Sequence, residues 1–421
     1  MPYIFAILLL TAPLYVWRFS IGGLPTNFLM IWSFVVILVA KIIIWKDHNY
    51  SIPKTIDSYF KDLKSMNFML SVGIILVSLA SVISLFAFGF STAKFGQWIV
   101  LYLEPIALFF IIRHFARNNK DEKYNVLRYV SLSAYLFLFL AGVLAFLQYH
   151  YLFALPQAWW GNANEPKRAI AFFAHPNSYA LFVTPLLAWL IPDVMRRAQK
   201  IKNVINRATS FEAEKTKTFW LQLICVAAWL VGAFGMFLTL SRGAWLGLFA
   251  AAGLYVLLSA NKKMFLWFSG LLVAVAIIVA VTPNLRYRVI LPFYGEKSAA
   301  ARISLFHTGS EMIKDSPIFG KGINGFDDNW TKYNTDPNLD HYNFPHNIFL
   351  NFWIDLGLLG LVGMILIFSA GIWQGIMNRK KPLALGLLLF LSAIAVHGLI
   401  DIPYLKNDLA LVFWIILGLS I

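Results

Sequence analysis

Apolar stretches of roughly 17 to 25 residues recur along almost the whole chain, and they decide what it can fold into. In lipid a segment of that length is stable only as an α-helix, which satisfies its own backbone hydrogen bonds. The stretches lie near 3–20, 25–45, 67–88, 95–116, 128–154, 176–192, 218–240, 243–260, 264–281, 346–371, 382–403 and 407–421. This spacing predicts an all-α integral membrane protein of about 12 transmembrane helices, the last one short. A composition of 59% hydrophobic and 13% charged residues is far from that of a soluble globular domain. The first stretch lacks a basic leader and a small-residue cleavage site, so it reads as an anchor rather than a signal peptide.

One long segment, from Pro283 to Pro345, breaks the pattern with polar and aromatic residues. Its side of the membrane follows from the basic residues. Alternate connections, at 41–64, 113–128, 196–217, 262–263 and 379–381, carry 22 of the 35 lysines and arginines. The opposite short connections carry only Arg18, Lys94, Lys167, Arg168, Arg242 and Lys406. Long segments count little in this comparison, so both termini are expected in the cytoplasm and the long segment outside, carrying short amphipathic helices. The net charge of +15 is mostly this bias plus attraction to anionic membrane lipids, and needs no nucleic acid to explain it. Cys225 is the only cysteine, so no intramolecular disulfide or thiolate metal site is available. The chain divides into N-terminal helices (1–160) and a region (161–421) that contains the long segment.

Charges at the membrane surface are costly and are functional candidates by default. In KRAIAFFAHPNSYA, Lys167 and Arg168 precede His175-Pro176-Asn177, where proline suits the first turn of a helix. His175 and Arg168 are either site residues or an interfacial basic pair beside a proline start. In SRGAWLG, Ser241 is a natural N-cap and Arg242 falls in the first helical turn. A cation there is unfavourable to the helix dipole, yet together with the free amide donors it makes a receptor for phosphate. The alternative is an arginine snorkelling to the headgroups. In AAARISLFHTGSEMIKDSPIFGKGINGF, Ile303, Phe306 and Ile313 fall at helical spacing, which places Arg302 on a helix along the membrane surface. Pro317, Gly320, Gly322 and Gly325 then mark a tight loop. GKGING matches a dinucleotide fingerprint by letters alone, because no strand precedes it.

His346, followed by Asn347, opens the next apolar helix. Histidine is the side chain best suited to take a proton near neutral pH. A lone histidine at a helix start is usually structural; the three arginines and His341 on the same face change that balance. His397 and Asp401 are four apart and would share one helix face, as a buried polar pair holding helices together. His341, His346, Asp336 and Asp340 match no trusted metal-ligand spacing, so no metal site is expected. No GxSxG, Walker loop or HExxH occurs, which argues against standard hydrolase, nucleotide and zincin chemistry.

Taken in order, the run from Arg168 to Asn177, SRGAWLG, ARISLF with SPIFGKGINGF, HNIFLNFWIDLGLLG and the late HGLID resemble the O-antigen ligase and polymerase superfamily of bacterial envelope enzymes. The resemblance covers roughly 160–405. It implies a metal-independent glycosyltransferase of the bacterial cytoplasmic (inner) membrane, working on its external, periplasmic face without a cofactor. The glycan arrives on undecaprenyl pyrophosphate and passes to an envelope acceptor hydroxyl, such as that of a lipid-linked sugar. Carried over, Arg242 and Arg302 hold the pyrophosphate, with Arg168 assisting, and His346 acts as base or orients the hydroxyl, giving inversion. His341, Asn347, His175, Asn177, His397 and Asp401 are supporting candidates.

A polymerase of the same superfamily uses the same constellation on a growing chain. A protein O-oligosaccharyltransferase often carries a further C-terminal region, whereas this sequence ends in an apolar stretch. A transporter of lipid-linked sugars is the rival from another class, and it would put polar groups near mid-membrane on broken helices.

Overall fold

A computed structural model describes residues 2–118, 120–162, 166–206, 213–259, 261–283, 286, 297–337 and 339–421. Among the described residues the chain is all-helical apart from one small hairpin. Among the described residues nine helices are long and apolar enough to cross a membrane. In chain order the elements begin with α1 (Pro2–Leu10), β1 (Arg18–Ile21), β2 (Leu24–Asn27), α2 (Phe28–Asp47), α3 (Ile52–Ser65) and α4 (Phe68–Ala87). Next come α5 (Thr92–Trp98), joined through a π-helical turn to α6 (Glu104–Asn118), then α7 (Lys120–Tyr151) and α8 (Pro176–Asn206). They are followed by α9 (Ala213–Phe237), α10 (Arg242–Ser259), α11 (Lys262–Val281) and α12 (Lys297–Asp315). Two single turns, α13 (Gly325–Asp328) and α14 (Trp330–Tyr333), precede α15 (Ile348–Met377), α16 (Pro382–Gly398) and α17 (Asn407–Ser420). The last two are shorter apolar helices of 17 and 14 residues.

The first expected span is not one helix. α1 stops after 9 residues, a 3-10 turn carries Pro13, and the chain then reverses at Gly22-Gly23. Both glycines have positive φ, the backbone a two-residue hairpin turn requires, so Arg18–Ile21 and Leu24–Asn27 pair as strands.

Burial sorts the rest. The apolar window of α8 is 89% buried and that of α11 is 0% buried, so α8 lies at the centre and α11 at the rim. After the polar Asn407 and Asp408 of its first turn α17 is apolar on every face, and it is buried along its whole length, as expected of a helix enclosed by others. Its Trp414 Nε1 donates to Tyr404 Oη at 2.9 Å, and Tyr404 Oη donates to the Leu101 carbonyl at 2.7 Å, tying α17 to the π-helical turn.

α15 is broken at Gly357, whose φ of 67° and ψ of −172° lie in a region essentially closed to side-chain-bearing residues. The loop after α12 supplies the bonds that the break leaves open. Lys321 N donates to the Ile354 carbonyl at 2.6 Å, and Leu358 N donates to the Ile318 carbonyl at 2.9 Å. A Cβ on Gly357 would lie 2.3 Å from the Ile318 oxygen, and one on Gly320 2.4 Å from the Ile354 oxygen. Asp355 adds a buried hub: its carboxylate accepts from Gly325 N (3.2 Å) and Asn351 Nδ2 (2.7 Å), and its carbonyl accepts from Ser84 Oγ of α4 (2.5 Å).

This interlock fixes α12, which carries Arg302. The helix is where the pattern put it, but its buried face runs through Leu305, Met312 and Ile313 onto Ile354 and Trp330. Ile303 is exposed, because the neighbour that α12 packs against is α15, and that contact selects the Leu305 stripe. Of the 283–345 segment, residues 284–285, 287–296 and 338 lie outside the described residues.

Gly357→Ala should lower stability by at least about 1–3 kcal/mol from backbone strain alone, before the clash with Ile318 is counted. The unfolding midpoint in detergent measures this. Gly270→Ala, at a position with nothing within 4 Å, should leave the midpoint unchanged or raise it.

Candidate active site

Five chain segments meet at one end of the bundle: the starts of α8, α10 and α15, the helix α12, and the 399–406 connection between α16 and α17. The connection exists because α16 ends at Gly398. Its exposed carbonyls are taken up by side chains from two other elements. Asn347 Nδ2 donates to the Leu399 carbonyl at 3.1 Å, and Arg302 Nε donates to the Ile400 carbonyl at 2.9 Å. Asn347 also caps α15, its Oδ1 accepting from Leu350 N at 3.0 Å.

His346 precedes this cap with a φ of 51°, an uncommon backbone for histidine and one that marks a position held by its surroundings. Its Nδ1 is 3.1 Å from Asp401 Oδ1, which also accepts from Ile402 N at 2.9 Å. The Tyr342 ring stands edge-on to the imidazole at 5.6 Å. The His346 side chain is 22% exposed and that of Asp401 5%, so the imidazole can be reached and the carboxylate behind it cannot. Burial alone would push the Asp401 carboxyl up. The hydrogen bond from His346 and the fields of His346, His397 and Arg302 outweigh it and hold the group below the usual carboxylate range. An ionised Asp401 accepts, so Nδ1 of His346 carries a proton and Nε2 faces away from the carboxylate.

The expected His397–Asp401 pair on one helix face does not form. Helix α16 ends between them, and Asp401 turns to His346 instead. His397 is fully buried beside Gly243 of α10.

Among the bonds that hold Arg168, Nε donates to the Thr239 carbonyl at 2.7 Å and Nη2 to Asn177 Oδ1 at 2.6 Å. Its neighbour Ala169 donates its N–H to the Leu238 carbonyl at 3.0 Å, which ties this segment to the turn before α10. Asn177 thus positions Arg168, while its own N–H donates to His175 Nδ1 at 3.0 Å in the first turn of α8. The His175 ring stands edge-on to Trp159 at 4.6 Å. Arg242 is half-buried in the first turn of α10, next to Gly243 and so next to His397. Arg168, His175, His346, Asp401 and Lys406 lie within electrostatic reach of one another.

Lys406 escaped the sequence reading, which used it only to set topology. It is largely buried and donates to Ser178 Oγ of α8. Burial draws its ammonium below the usual lysine range, while Asp408 and Asp401 oppose this. The signal available was a lone basic residue in an otherwise apolar connection, HGLIDIPYLKND.

His341 is not brought to His346. Its Nε2 is 2.6 Å from Asp327 Oδ1 and its ring stacks on Trp330 at 5.5 Å. Asp336 accepts from Ser304 at 3.0 Å. Among the described residues no group of three or more His, Cys, Asp or Glu side chains comes close enough to share an ion.

Burial first, then Arg168 and Lys406, lower the His175 imidazole to about 4. The unfolded chain, with histidine near 6.5, therefore binds more protons than the folded one between these values. Stability should be complete above pH 6.5 and fall as the pH drops towards 4. A series of unfolding midpoints in detergent checks this, and His175→Asn should flatten the slope in that window.

Residues 226–365 match the family described as O-Antigen ligase. The matched region holds Arg242, Arg302, His341, His346 and Asn347; Arg168, His175, His397 and Asp401 lie outside it. A curated relative, an uncharacterized protein of Haemophilus influenzae, is 27% identical over 157 residues, which is 33% of this chain and 39% of that relative. The chain thus aligns with less than half of that protein's length. The region 226–365 of this helical bundle is thus similar to the O-antigen ligase family.

Proposed function

We propose that the chain transfers a glycan from an undecaprenyl-pyrophosphate donor to an envelope acceptor hydroxyl, by direct displacement with inversion. The observation that carries this is the His346–Asp401 pair: an accessible imidazole on a buried carboxylate, on a turn that Arg302 itself grips. Asp401 keeps the Nδ1 proton in place and stabilises the charge that develops on the ring, as a carboxylate does behind any catalytic histidine. Nε2 takes the proton from the acceptor hydroxyl as its oxygen bonds to the anomeric carbon. The bond from that carbon to the phosphate oxygen breaks, and polyprenyl pyrophosphate leaves with the electron pair.

Negative charge grows on the leaving group, so stabilisation belongs on its oxygens. Arg242 and Arg302 suit this role, since guanidinium forks pair with phosphate in two-point contacts. The amide donors at the positive end of α10 add to it. Arg168, held by Asn177 and Thr239, assists from the other side, with His175 and Lys406 behind it. Asn347 serves by fixing the start of α15 and the turn that bears Asp401. His341 sits with Asp327, outside this group.

The basic-residue distribution supports a bacterial cytoplasmic membrane location with both termini inside and the site on the external face. Residues 161–421 form the catalytic region in this reading, and 1–160 the helices that brace it. The cluster lies at one end of the bundle rather than at its middle, which favours transfer chemistry over transport.

Purified protein given an undecaprenyl-pyrophosphate glycan and a lipid-linked sugar should form acceptor-dependent product. Glycan ladders in the absence of acceptor would assign a polymerase instead. His346→Ala should cut turnover by about 10²–10⁴-fold with donor binding retained. Arg242→Ala and Arg302→Ala should cut it by about 10²–10³-fold and weaken donor binding. Donor binding that disappears in His346→Ala contradicts the base assignment.

A further inference from the structure

His341 takes no part in the transfer chemistry, yet its ring is held more firmly than an exposed side chain needs. Nε2 is 2.6 Å from Asp327 Oδ1, and the imidazole lies nearly parallel to the Trp330 indole, 22° between planes with centroids 5.5 Å apart. Trp330 is 5% exposed and belongs to the apolar contact beneath α12, whereas the His341 side chain is 54% exposed. The indole backs one face of the imidazole and leaves the rest of the ring open. Tyr342 follows directly and packs half-buried on the same contact, its ring 6.4 Å from that of Trp330 and 5.6 Å, edge-on, from that of His346. His341 and Tyr342, with Trp330 behind them, thus make an aromatic wall that begins at the accessible imidazole of His346 and runs away from it. Each step along the wall is about the length of one sugar ring. Ser304, two residues beyond Arg302, donates to Asp336 at 3.0 Å and ties this stretch to α12. A sugar presents an apolar C–H face and a rim of hydroxyls, so flat side chains with polar groups beside them are what recognise it.

We infer that His341 and Tyr342, backed by Trp330, bind the sugar ring that carries the acceptor hydroxyl. A ring laid on Tyr342 brings that hydroxyl to His346, and His341 holds the ring or its neighbour further out. The wall is aromatic, with the Asp327 carboxylate at its edge; this suits a neutral polyol and opposes a pyrophosphate, so acceptor and donor are held by different groups. The assignment to the acceptor rests on the transfer reading above, and the wall itself on ring geometry and exposure. It explains two features that the His346–Asp401 pair does not need: an exposed imidazole fixed by both a carboxylate and a stacked indole, and a second ring set edge-on to the base. His341 and Tyr342 are then specificity-determining residues, separate in role from the base.

Full-length protein in detergent is mixed with the methyl glycosides of glucose, galactose and N-acetylglucosamine, and saturation-transfer NMR reads which sugar protons touch it. Wild type, His341→Ala, His341→Phe and Tyr342→Ala are compared, with unfolding midpoints recorded, and the transfer assay gives acceptor KM and donor KM for each. Wild type should transfer saturation to at least one glycoside, most strongly to the C–H protons of one ring face. His341→Ala and Tyr342→Ala should lose most of that signal and raise the acceptor KM about three- to tenfold, with donor KM unchanged. His341→Phe, which keeps a flat ring on Trp330, should hold the acceptor KM within about threefold of wild type. No saturation transfer to any of the glycosides, an acceptor KM unchanged in both alanine variants, or a donor KM that rises in step with it overturns the wall. So does an acceptor KM that rises in His341→Ala together with a fall in midpoint and is not restored by His341→Phe. Glycoside binding that depends on His341 in a protein that transfers no glycan keeps the sugar site and removes the transfer reading; glycan transfer indifferent to both residues does the reverse.

Discussion

A helix that ends inside a membrane protein leaves carbonyl groups that must find donors, and the end of α16 at Gly398 is the point on which the site depends. The Leu399 and Ile400 carbonyls are bonded by Asn347 of α15 and Arg302 of α12. Two elements far apart in sequence are thereby fastened to one turn, and that turn holds Asp401 against His346. Satisfying the backbone and assembling the site are the same set of hydrogen bonds. If α16 continued by one more turn, Asp401 would lie on its surface and His346 would lose its partner.

The break in α15 obeys the same rule with different partners. Gly357 interrupts the helix, and the loop after α12 supplies a donor to Ile354 and an acceptor to Leu358. The carboxylate of Asp355 binds Gly325 on the far side of that loop, while Ser84 of α4 bonds the Asp355 carbonyl. A segment that would otherwise hang from the bundle is thus held along α15 by backbone bonds, with Leu305, Met312 and Ile313 closing an apolar contact beneath it. Arg302 owes its position at the α16–α17 turn to this contact, since it lies on the same helix.

Much of the candidate site was legible in the residues. Charges at the ends of apolar runs are rare and costly, so Arg168, Arg242, Arg302 and His346 stood out from composition and position alone. Two readings went astray for physical reasons. Pro13 and Gly22-Gly23 turned an apolar run into a short helix and a hairpin, because backbone geometry overrides hydropathy at such residues. The spacing of Ile303, Phe306 and Ile313 did mark a helix, and packing against α15 decided that Leu305, Met312 and Ile313 form its buried side. The His397–Asp401 spacing of four assumed an unbroken helix, which ended between the two residues. Lys406 carried a weak signal, one lysine in a short connection, and only its packing against Ser178 revealed that it belongs to the group around His175.

The sequence by itself determined the class of molecule, a bundle of membrane-length helices, and which polar residues stand at helix ends, because burying a backbone or a charge in lipid has few solutions. Only the tertiary structure decided which of those residues meet. Asp401 pairs with His346 from 55 residues away, and His397 fits against Gly243 from a different helix, contacts fixed by where each helix stops and which face it buries. Local chemistry sets what each residue can do; partners distant in sequence are chosen by packing, which no local pattern encodes.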